Sequence, residues 1–83
     1  MNIEETYNNT IGALREDAKE HIEAGTIVLP VDVKGFALRL YNAAHSPLGK
    51  LVAMTTQSPL LTLEEYQRAV REVCIDLKLE MKE

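Results

Sequence analysis

Between residues 3 and 24 the apolar positions Ile3, Tyr7, Ile11, Leu14, Ala18 and Ile22 recur every three or four residues, the spacing of one face of an α-helix. Glu4 and Glu5 fall in the first turn, His21 in the last, and Gly25 follows as a natural left-handed terminator. The pattern therefore predicts an amphipathic helix over residues 3–24. The next stretch, Thr26-Ile27-Val28-Leu29, is β-branched but short, lacks an obvious partner strand and is closed by Pro30, so an extended linker lying on the core is expected.

Asp32 is placed to cap a second helix over residues 33–45, with Val31 before the cap positioned to meet Phe36 as a hydrophobic staple. Val33, Phe36, Ala37, Leu40 and Ala44 form its inner face. Ser46-Pro47 is a cap followed by a first-turn proline and opens a short helix over residues 47–57, expected to bury Leu48, Leu51 and Val52. Ser58-Pro59 ends that helix. Thr62 and Glu65 then have capping-box spacing, flanked by Leu61 and Tyr66 at the staple positions. Leu63, Tyr66, Val70, Val73 and Leu77 continue as a heptad-like seam, so a last helix is predicted over residues 63–81. The elements add up to an all-α fold: a small bundle of three main helices plus one short helix, packed near-antiparallel within one domain, residues 1–83. Helices one and four are expected to pack together and helix two to be central.

Composition narrows the class. With 83 residues, 46% hydrophobic and 27% charged, the chain can build one core and has ordinary globular usage. Cys74 is the only cysteine, which rules out an intramolecular disulfide and fits a reducing compartment. The start Met1-Asn2-Ile3-Glu4-Glu5 lacks the basic and apolar regions of a signal peptide, and no apolar run approaches a membrane span, so a cytoplasmic location and no membrane partner are expected. Net charge is -4 and unevenly placed: acids crowd the two ends, while residues 26–63 hold Asp32 as their one acid beside Lys34, Arg39 and Lys50. Without a basic run, nucleic acid is disfavoured as a partner.

Residues able to carry chemistry are scarce. His21 and His45 lie on different helices without metal-ligand spacing. Cys74 sits beside the apolar seam, between Val73 and Ile75, with no adjacent cation to generate a thiolate, and reads as a small buried hydrophobe. Gly49-Lys50 lacks both the upstream glycine and the hydroxyl residue of a phosphate loop. No catalytic, metal-binding or cofactor-binding residues, and no cofactor, are expected. The helices around Ser46-Pro47 can be drawn as a helix-turn-helix, but its reading helix would offer only Lys50, Thr55, Thr56 and Gln57.

What remains is apolar residues off the core stripes. Ile75 and Leu79 project nearly opposite the seam of the last helix, Leu38 and Tyr41 lie off the inner face of the second, and Met54 points away from Leu48 and Val52. These five are the candidate interface. The function expected is a small non-catalytic protein-interaction module, self-associating as a homodimer and acting as an adaptor, inhibitor or regulatory accessory of another protein. The alternatives are a helix-turn-helix-type DNA-binding regulator and a small enzyme of unknown class.

Overall fold

Each helix begins where a short polar side chain captures a free backbone amide. In the computed structural model, which describes residues 2–82, Asn2 accepts from the Glu5 amide at 2.8 Å and opens α1 (Ile3–Ala24). Asp32 accepts from Gly35 at 3.1 Å and opens α2 (Val33–Ala44). Ser46 accepts from Gly49 at 3.1 Å and opens α3 (Pro47–Thr56). Thr62 opens α4 (Leu63–Asp76) through a complete capping box: its hydroxyl accepts from the Glu65 amide at 3.1 Å, and its own amide donates to the Glu65 carboxylate at 2.8 Å. Such caps satisfy amides that a helix leaves without internal partners. The fold is an all-α bundle. α1, about 33 Å long at 1.5 Å per residue, accounts for the 35 Å long dimension of the molecule.

Three helices also share one kind of ending. After α1, Gly25 adopts φ +69° and the Thr26 amide donates back to His21 at 2.9 Å. After α3, Gln57 has φ +54° and Ser58 donates to Ala53 at 2.9 Å. After α4, Lys78 has φ +57° and Leu79 donates to Cys74 at 2.8 Å. These are Schellman closures, and only the first uses the glycine that the conformation favours.

The ending of α4 corrects the expected helix over residues 63–81. The helix stops at Asp76, and the chain turns at Lys78 and runs back extended. Its last described residues, β2 (Met81–Lys82), pair in parallel with β1 (Val31–Asp32), and the Val31 amide donates to the Glu80 carbonyl at 2.8 Å. Energetics account for the reversal. A continued helix would hold Leu79 in water, whereas the turn packs Leu79 and Met81 against Val33, Ala37, Val70 and Cys74. Left-handed geometry at a lysine costs about 1–2 kcal/mol, while burying a large apolar side chain contributes about 1.5–3 kcal/mol each. Strand pairing thus involves residues 31–32, and the stretch Thr26–Val28 is irregular.

The core is divided between two flanks of α4. Ala69 and Val73 meet Tyr7 and Ile11 of α1, together with Leu61. Val70 and Cys74 meet Val33 and Ala37 of α2. The central helix is therefore α4, not α2 as expected, because α4 carries two adjacent apolar stripes at helical spacing where α2 carries one. Leu61, the staple residue before Thr62, is fully buried. His45, at the end of α2, stacks on Tyr41 with ring centroids 4.1 Å apart and donates through Nε2 to the Leu61 carbonyl at 3.1 Å.

α3 is the largest departure. Leu48, Leu51 and Val52, expected to be buried, are 72%, 59% and 54% exposed. The cause lies in the turn that precedes them. The Ser46 hydroxyl donates to the Ala43 carbonyl at 2.7 Å while accepting from Gly49, and a Cβ placed on Gly49 would collide with the carbonyl oxygens of Ala43 and Ala44. The backbone of α3 thus abuts the end of α2 through a residue that must lack a side chain. Gly49 and Ala53, four residues apart, occupy the inward side, so Leu48, Leu51 and Val52 are rotated outward.

Two substitutions test these assignments in urea unfolding followed by circular dichroism. Leu61→Ala is expected to cost about 2–5 kcal/mol. Lys78→Gly is expected to gain up to about 1 kcal/mol, the relief of left-handed strain less the entropy glycine adds to the unfolded chain. A loss of stability in Lys78→Gly would contradict the proposed ending of α4.

Candidate functional site

The outward surface of α3 is apolar almost throughout. Met54 is 76% exposed and borders the stripe of Leu48, Leu51 and Val52. Thr55, which shares the outward side, donates its hydroxyl to the Leu51 carbonyl at 2.6 Å, and Thr56 donates to Val52 at 2.9 Å. Both hydroxyl protons are therefore spent on the helix's own backbone. Lys50 is the only charged side chain on α3.

A second feature lies toward the opposite end of α2. Because α1 and α2 pack on different flanks of α4, a groove of about 340 Å³ is left between them. Val70, Val73 and Cys74 of α4 form its floor with Leu14 of α1. Phe36 and Arg39 line the α2 side, and Ile27 and Val28 of the linker close one end. Asp17 and His21 stand at the α1 rim. His21 shares a 2.8 Å hydrogen bond between Nδ1 and the Thr26 hydroxyl, and its Nε2 lies 3.8 Å from Asp17. The Arg39 guanidinium lies over the Phe36 ring, 5.6 Å from its centroid. An ion pair between Arg15 and Asp76 ties α1 to the end of α4.

No family model, curated protein or solved structure matches the chain.

The expected interface residues are scattered by the fold. Met54 joins the α3 surface. Leu38 is exposed on α2, whereas Tyr41 is half-buried beneath its stacking contact with His45. Ile75 is 63% exposed, but it sits in the last turn of α4, about 18 Å along the axis from the helix start at Leu63. Leu79 does not share the outer face of α4 with Ile75; it is folded back against the core and lines the groove. On α3 the sequence marks Met54 and the low charge of the segment, but its periodicity places Leu48, Leu51 and Val52 inside, where the structure exposes them. The groove left no such signal, since its walls come from three helices and a linker far apart in the chain.

Among the described residues, no group of three or more His, Cys, Asp or Glu side chains is placed to hold a metal ion, and no helix is long and apolar enough to cross a membrane. Cys74 is a free, buried thiol, and burial pushes its pKa up. Tyr66 is shifted upward by burial and then by Glu65. Tyr7 is shifted upward by burial and then by Glu72, opposed by Arg68, whose guanidinium lies 4.8 Å from the ring centroid.

All three groups are neutral when protonated, so a raised folded-state pKa favours the fold only while the neutral form persists. Their stabilising effect is fully present below the unfolded-state values and is lost as pH rises through the folded ones. The urea midpoint is accordingly expected to hold steady from pH 7 to about 8.5 and to fall above about pH 9, with a smaller fall in Cys74→Ala and in Tyr7→Phe. In the same samples at pH 8, Cys74 should react with a disulfide reagent about tenfold or more slower in the folded chain than in urea. Equal rates would show that the groove floor is open to solvent.

Proposed function

We propose that this chain is a small, non-catalytic protein-interaction module that associates with itself and serves as an adaptor, inhibitor or regulatory accessory of another protein. The supporting observation is the outward apolar stripe of α3. Each large apolar side chain moved from water into a packed contact contributes about 1.5–3 kcal/mol, and α3 leaves Leu48, Leu51, Val52 and Met54 outside. The helix is also held ready. Its cap at Ser46 and the close approach of Gly49 to α2 fix its direction before any partner arrives, which lowers the ordering cost of docking.

Two further observations favour a binding role over the alternatives. The Cys74 thiol is buried with a raised pKa, which disfavours a thiolate, and both histidines are engaged at helix ends, His45 by the Leu61 carbonyl and His21, at the groove rim, by the Thr26 hydroxyl. A helix-turn-helix use of α3 would present leucine, valine and methionine where base-edge donors are needed, with the threonine protons already committed. A free thiol also suits a reducing, cytoplasmic setting.

Light scattering coupled to size exclusion tests the proposal. Wild type is expected to show a mass above that of one chain that rises with concentration. Leu48→Asp/Leu51→Asp should remain monomeric, with its protomer stability altered by no more than about 0.5 kcal/mol because both residues are surface-exposed. Ile75→Asp should associate like wild type. Identical monomers for wild type and the α3 variant would overturn self-association, and a salt-dependent shift of random duplex DNA would favour the DNA-binding alternative.

A further inference from the structure

We infer that the groove between α1, α2 and α4 is a binding site for a compact, uncharged, apolar small molecule. This goes beyond the self-association proposed above and does not depend on it. Voids inside a packed core are seldom larger than a water molecule, whereas the groove, at about 340 Å³, falls in the range of about 300–1,000 Å³ that small-molecule sites occupy. Its size also decides between a molecule and a segment of chain. An α-helix with its side chains is about 10–12 Å across, so a length of helix matching the α1 wall from Leu14 to His21, about 10 Å, would fill about twice the groove's volume or more. At the packing density of protein interiors, about 0.74, the groove holds about 250 Å³ of ligand, the bulk of about two or three aromatic rings.

The lining sets the chemistry. The floor of Leu14, Val70, Val73 and Cys74 presents no ion, because burial holds Cys74 as the neutral thiol. Charge is confined to Asp17 and His21 on the α1 side and to Asp32 and Arg39 on the α2 side. Each of these already has a contact within the chain. The Asp32 carboxylate accepts from the Gly35 amide at 3.1 Å, Asp17 lies 3.8 Å from His21 Nε2, and the Arg39 guanidinium is drawn over the Phe36 ring. The Thr26 hydroxyl is likewise 2.8 Å from His21 Nδ1. An anion entering the groove meets Asp17 and Asp32. A cation meets Arg39, which covers the Phe36 face that could have received it. An uncharged molecule meets neither repulsion, keeps no polar group from water and buries apolar surface against the floor, at about 25 cal/mol per Å².

Two dyes with the same rings test the site: N-phenylnaphthylamine, which is uncharged and fluoresces in apolar surroundings, and anilinonaphthalene sulfonate, which adds one negative charge. Wild type is expected to brighten the uncharged dye saturably. Nuclear Overhauser contacts should run from its ring protons to the methyl groups of Leu14, Val70 and Val73. Ala18→Phe, which fills the groove from the α1 side, should weaken binding about tenfold or more. Leu48→Asp/Leu51→Asp, which removes the α3 stripe, should bind the dye like wild type, so the result stands apart from that of self-association. Asp17→Asn should tighten the sulfonate about twofold or more and leave the uncharged dye unchanged, since only the anion meets that carboxylate. Absence of saturable binding by wild type would overturn the site, as would dye contacts at Leu48, Leu51 and Met54 in place of the floor. These two readouts use the unaltered chain and hold even if Ala18→Phe fails to fold. A sulfonate that binds as tightly as the uncharged dye, and is indifferent to Asp17→Asn, would overturn the choice of an uncharged ligand.

Discussion

The structure depends on α4 having two apolar stripes rather than one. Ala69 and Val73 face α1, Val70 and Cys74 face α2, and each stripe is buried by a different neighbour. With a single stripe, α1 and α2 would compete for the same surface and the bundle would close around it. With two, the outer helices settle on separate flanks and remain parted over the floor that α4 supplies. Leu14 and Tyr66 contact both clusters and keep the halves continuous. The same geometry that fills the core therefore opens the groove.

A backbone contact, not an apolar one, governs α3. At Gly49 the helix abuts the final carbonyls of α2, an approach that any side chain would block. That contact sets the rotation of α3 about its axis, and with it the exposure of Leu48, Leu51 and Val52. In most amphipathic helices the apolar stripe determines which side faces inward. Here a glycine and a serine cap override it, and the conflict between local pattern and final orientation is the kind that natural sequences resolve at functional surfaces.

The helix starts were legible because each is written in a few adjacent residues: Asp32, Ser46-Pro47, and Thr62 with Glu65. The ending at Gly25 was legible for the same reason. The ending of α4 was not, because Lys78 carries no local mark of a left-handed turn and the gain that drives it comes from Val33 and Ala37, more than forty residues earlier. The burial pattern of α4 could be read as far as its seam; Ala69 escaped notice because a small residue contributes little to an apolar pattern even when fully buried. As for the site, Met54 was marked by its position off the stripe, while Leu48, Leu51 and Val52 were misassigned because periodicity identifies a stripe without saying what covers it.

The C-terminal reversal connects these elements. Pairing Met81–Lys82 with Val31–Asp32 anchors the chain just after the linker that closes the groove, and the returning segment places Leu79 in the groove lining. The last described residues thus help build a wall formed mainly by the middle of the chain. A domain of this size buries a modest share of its surface and gains little margin from one core. An apolar groove and an apolar helix left open on the same chain would lower that margin further for a permanent monomer. Both openings follow from constraints within the chain: α4 supplies the groove floor between two separately packed helices, the returning C-terminal segment steadies one wall, and the Gly49 approach to α2 holds α3 with its apolar stripe turned away from its own core.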